Sequence, residues 1–190
     1  MKRLLMLAAM LLTGCTATAP ATQPHAIAPS STTLSTATPS PSPSPWPTPD
    51  NHKTPGTIAT INPDRICPHV DPALEAARPT TADKAKVYRA YGLAYPQPTG
   101  TYELDHLIPI ELGGAPDDPA NEWPEPNTPP DSAAMRRWGL SPAFVHNPKD
   151  VLEDVLHQLV CSGKVPLPDA QQAIATDWPG AYAHYLDGGL

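Results

Sequence analysis

Three side chains of different chemistry fall close together in one stretch of this chain: the carboxylate of Asp105, the imidazole of His106 and, past Gly113-Gly114, the amide of Asn121. An imidazole changes charge near neutral pH and can take a proton from water, and a carboxylate is a hard oxygen donor for a divalent cation. Successive strand residues point to opposite faces, so Asp105 and His106 do not share a role on one face unless the strand twists or ends there. That suits a divided task in which Asp105 binds a metal while His106 polarises a water. The plainer alternative is a hydrogen-bonded pair at a strand end. Glu103 and Glu111 read as solvent-facing strand residues, one of which could support His106.

The elements that must position these groups follow from pattern and punctuation. Residues 102–110 form a short β-branched and aromatic run, Gly113-Gly114 marks a turn, and the proline-rich stretch 116–130 reads as loop. A helix is expected over 81–91, capped by Thr80 or Thr81 and closed by Gly92. The strongest helix starts at the N-cap Asn147 with Pro148 in its first position. Its core stripe is Val151, Leu152, Val155, Leu156, Leu159 and Val160, and Asp150, Glu153 and His157 cluster on one flank. A last helix is expected from Pro168 to Trp178, where Pro179 interrupts it. There is no internal repeat and no nucleotide-binding glycine loop. The expected class is α+β, a small β-hairpin with helices against it.

The rest of the chain concerns location. Lys2 and Arg3 precede a short apolar run, Leu4 to Leu12, which is too short to span a membrane. Leu12-Thr13-Gly14-Cys15 looks like a lipobox, so residues 1–14 are expected to be a signal peptide and Cys15 the lipidated new N-terminus, tethering the chain to a membrane of the cell envelope. Of the 41 residues from Thr16 to Gly56, 10 are Pro and 15 are Ser or Thr. This composition cannot bury enough apolar area to offset ordering, so residues 15–56 are expected to be a disordered linker, with His25, Trp46 and His52 incidental to it. Residues 57–190 are long enough for one domain with a core. They carry 9 Lys and Arg against 18 Asp and Glu, a net −9 that disfavours a broad nonspecific footprint on DNA. With Cys15 acylated, Cys67 and Cys161 are an even pair in an oxidising location, either bridged or left as buried thiols. No Cys-x-x-Cys pair exists, which excludes a zinc knuckle.

Asp105-His106, Pro109, Leu112-Gly113-Gly114 and Asn121 resemble the HNH endonuclease, or ββα-metal, pattern. Residues 102–126 and 149–178 are similar to a group of secreted bacterial HNH-like proteins, a likeness that covers about 55 residues of the folded part and includes Cys161. The resemblance implies a nuclease acting outside the cytoplasm on nucleic acid, with Mg²⁺, Mn²⁺ or Zn²⁺ as cofactor. It implies that His106 is the general base, Asp105 a metal ligand and Asn121 the residue that orients the loop and the base. The family's last histidine is absent at its usual spacing, and His157, 36 residues after Asn121, is the substitute metal ligand. His157 has a second reading as a solvated helix neighbour of Glu153 or Asp154. Arg136-Arg137 is a possible phosphate contact or a surface pair. Two rival classes stand beside the nuclease: a noncatalytic envelope lipoprotein using the scaffold for binding or structure, and a carboxylate-based glycan hydrolase built on Glu103 or Asp105.

Overall fold

A computed structural model of the protein describes residues 44–143 and 147–188, so the lipobox cysteine Cys15 and the signal segment lie outside the described residues. The element order is α1 (Pro72–Ala76), α2 (Thr81–Ala90), β1 (Tyr102–His106), β2 (Glu122–Pro126), α3 (Ser132–Trp138), α4 (Pro148–Cys161) and α5 (Leu167–Tyr182), with a π-helical turn over Ala183–Asp187. Among the described residues, five helices and one antiparallel hairpin make the α+β class, as expected from the sequence.

α2 starts where the sequence predicts. Thr80 and Asp83 form a reciprocal capping box, Tyr91 is the C-cap, and Gly92 takes the left-handed backbone at φ 74° that closes the turn. α4 is the central helix. All six residues of its expected apolar stripe are buried, together with Lys149. It packs on α5, on α3 and on a 3-10 turn, Ile110–Leu112, that follows β1. α5 bends at Asp177, whose φ of −159° and ψ of 79° are not helical, and its Oδ1 accepts from the Gly180 N–H at 3.1 Å. Pro179 thus interrupts the helix as expected. The chain then resumes helical geometry, because proline is tolerated in a first turn.

Two expectations need correction. The stretch 116–130 is not all loop, since Glu122–Pro126 pairs with Tyr102–His106 in the register Asp105↔Trp123 and His106↔Glu122. Leu107 N–H donates to Asn121 O at 2.8 Å, and Asn127 N–H donates to Thr101 O at 3.1 Å. By alternation, Pro124 and Pro126 fall at positions where no inter-strand N–H is needed, which is where a strand tolerates proline.

The linker also ends earlier than Gly56, because described residues before it pack onto the fold. Trp46 stacks on Trp178, ring centroids 5.4 Å apart, and meets Tyr182 edge-on at 4.6 Å. Thr54 is buried. Its hydroxyl donates to Glu122 O at 2.9 Å and lies 2.7 Å from the Tyr91 hydroxyl. Further on, Ile58 bridges Gly114. Trp46 is therefore part of the folded structure, and residues 46–60 form a strap across it.

Cys67 and Cys161 are disulfide-bonded, with Cα atoms 5.4 Å apart. The bridge ties the segment before α1 to the last residue of α4. Among the described residues, no helix is long and apolar enough to cross a membrane.

Candidate active site

The hairpin presents its two faces to different neighbours. Glu103, Asp105, Trp123 and Glu125 share one face by register, and His106 and Glu122 share the other. β1 ends at His106, and there Asp105 and His106 both line one cleft of about 220 Å³, with Glu75, Arg78, Glu111 and Glu153. The end of the strand thus resolves the opposite-face problem posed by adjacent residues.

Asn121 lies under the loop that follows β1. It is fully buried, and its Oδ1 accepts from Ile108 N–H at 3.0 Å. Its Nδ2 donates to Ile108 O at 2.9 Å and to Ala115 O at 3.0 Å. One amide therefore fixes both ends of the loop that follows His106. Gly114 is required beside it, since a Cβ there would lie 1.8 Å from Ile108 O.

His106 Nε2 lies 3.0 Å from Pro116 O. A carbonyl can only accept, so Nε2 carries the proton and Nδ1 holds the lone pair. Burial holds the imidazole below its ordinary pKa, against the Pro116 hydrogen bond and the charge of Asp105. The ring is then neutral at neutral pH, the state a general base requires.

Asp105 is held more tightly than the sequence suggested. Its Oδ2 accepts from Trp123 Nε1 at 2.8 Å and from Lys149 Nζ at 2.8 Å. Lys149 has no solvent exposure, and its ammonium also donates to His106 O at 2.7 Å and to Glu153 Oε1. All three of its N–H bonds are used. Burial opposes its charge, but the carboxylates of Asp105, Glu153 and Glu125 outweigh that and raise its pKa. Glu125 is fully buried, and burial, followed by the charge of Asp105, with which its side chain also shares a hydrogen bond, drives its pKa up. Glu153 is likewise pushed up, by burial first.

The oxygens of Asp105, Asp150 and Glu153 lie within 4.8 Å of one another, a group that could hold a metal ion. Oxygen-only donors suit Mg²⁺ or Mn²⁺. Two of the three, Asp105 and Glu153, are already partners of Lys149.

His157 is not brought into this group. It lies one turn beyond Glu153 on α4, its Nε2 2.9 Å from Ile66 O, beside Cys67 and Cys161. On α4 its charge also acts on Asp154, three residues before it. Glu103 and Glu111 are not solvent-facing strand residues: Asn147 Nδ2 donates to Glu103, and Glu111 sits in the 3-10 turn lining the cleft. Burial raises both carboxyls to about 7. Arg137 lies 3.6 Å from Asp187 at the exposed end of α3, a surface pair.

Lys149, Glu125 and Arg78 are site residues that the sequence reading missed. One signal was available for Lys149: a cation in the first turn of a helix opposes the helix dipole, so it needs an anionic partner from elsewhere.

Comparison of the chain with models of known families, with curated proteins and with solved structures gave no match. What fold and site define together is an α+β domain with a neutral histidine and a carboxylate–lysine cluster where a hairpin meets a helix.

Proposed function

We propose that the protein cleaves phosphodiester bonds of nucleic acid outside the cytoplasm, tethered to a membrane through a lipid on Cys15. The observation that carries this is the state of His106: a neutral imidazole with Nε2 committed to Pro116 O and Nδ1 left as the base, on a loop that Asn121 fixes at both ends. A base held this way can take the proton of an attacking hydroxyl or water without reorganising. Arg78 lines the same cleft and would hold the phosphate. Asp105 and Glu153 would hold a cation beside the reacting group, where they already face the Lys149 ammonium. The resemblance to HNH endonucleases supports the same assignment for His106 and Asn121.

A second reading is a noncatalytic envelope module. Its support is the Lys149 cluster, which satisfies Asp105 and Glu153 internally, as a structural ion pair would. A glycan hydrolase built on Glu103 or Asp105 is disfavoured because Asp105 is already ion-paired with Lys149 and Glu103 already accepts from Asn147. The test is incubation of the purified chain with DNA and RNA in Mg²⁺, Mn²⁺, Zn²⁺ or a chelator, beside His106→Ala. Cleavage that the variant loses is the expected result. Equal activity from both proteins, or none from either in every condition, rejects the enzyme and leaves the module.

A further inference from the structure

We infer that the Lys149 ammonium is the resident cation of this site, so that divalent ions are kept off Asp105 and Glu153 unless the amine is removed. The inference deepens the proposal above, and its bearing on catalysis rests on that reading.

The argument is one of charge and hydrogen-bond valence. An ammonium has three donors, and those of Lys149 end on Asp105 Oδ2, Glu153 Oε1 and His106 O. The amine is fully buried and lies where β1 ends and α4 begins, in contact with two of the three carboxylates that could hold a metal. Ejecting it would leave a buried charge without partners, a costly state. A divalent ion bound without ejecting it would face a like charge across the shared Asp105 oxygen.

Glu125 is a further acid that faces the Lys149 ammonium. It is a carboxyl without solvent exposure, on the same hairpin face as Asp105, and its side chain is within hydrogen-bond reach of Asp105. A buried acid so placed adds one more oxygen-bearing group to the set around the Lys149 ammonium. The cluster is therefore a hard-cation site whose occupant is covalently attached.

Its consequence for the reaction is that the cation need not be recruited from solution. If the cleft cleaves phosphodiesters, it does so with the divalent ions chelated. Lys149 is a positioning residue in that account. It holds Asp105, and through His106 O it holds the backbone of the base, without touching substrate.

Trp123 provides the readout, because its indole donates to Asp105 and would sensitise a luminescent Tb³⁺ ion bound there. Full-length protein is titrated with Tb³⁺ and, in parallel, with Mn²⁺ by electron paramagnetic resonance, with Asp105→Asn giving the background from exposed acids. The wild type is expected to match that background. Lys149→Met is expected to bind about 100-fold more tightly, the scale of replacing a satisfied buried ion-pair partner. Lys149→Gln serves if the methionine variant does not fold.

Wild-type binding that Asp105→Asn abolishes would overturn the inference. So would a folded Lys149 variant that gains no affinity. These outcomes are separable from failure of the phosphodiesterase reading: absent cleavage with the expected Tb³⁺ result sinks only that reading, and cleavage that requires Mg²⁺ bound at Asp105 sinks only the inference.

Discussion

Glu122 stands 3.9 Å from His106 Nε2 with no solvent exposure and no hydrogen bond to either oxygen. Burial, then the charge of Asp117, raises its carboxyl from 4.5 to about 7. Between those two values the folded protein holds a proton that the unfolded chain has released, so stability falls as pH rises through the window and is fully present below it. Glu103 and Glu111 contribute in the same direction. The urea midpoint of the wild type is therefore expected to drop between about pH 5 and about pH 8, and that of Glu122→Gln to drop less, because an amide has no proton to lose. Equal drops would contradict the assignment. At this scale, Asp105, His106 and Asn121 were legible because their types and spacing are informative within one short segment. Lys149, Glu125 and Arg78 were not, because what makes each of them matter is a neighbour supplied by another element.

The strap over 46–60 shows the limit of composition as a guide to elements. Proline, serine and threonine make poor cores, yet one tryptophan packed against Trp178 and Tyr182 and one buried threonine suffice to dock it. Docking of this kind costs chain entropy that only the partner surface can offset, and that surface is absent from a local reading. A chain beginning at residue 44 is expected to melt higher than one beginning at 57, by about 5–10 °C, as calorimetry would show. Identical melting temperatures would mean that the strap adds no stability. α2 and α4 were legible to within a residue or two, since caps and apolar stripes are local. β2 was hidden because Pro124 and Pro126 argue against a strand until its pairing partner is known.

At the scale of the whole molecule, the proposed location and the proposed chemistry are compatible. A disulfide between Cys67 and Cys161 closes a loop of 94 residues, which the chain-entropy model values at about 4–5 kcal/mol, and it fits export to an oxidising compartment. The proposed lipid on Cys15 predicts that the wild type partitions with membranes on fractionation and that Cys15→Ala moves to the soluble fraction; an unchanged distribution would refute the anchor. The expected α+β class came through because alternating and helical patterns are written along the chain. The way α4 meets the hairpin was not legible, and that junction is where the site lies. The most direct measurement is the ratio of nucleic-acid cleavage rates between wild type and His106→Ala, taken under the most active condition with equal melting temperatures as the control. The account predicts a loss of about 100-fold or more, the scale of a missing general base. A folded variant that cleaves as fast as the wild type would contradict it.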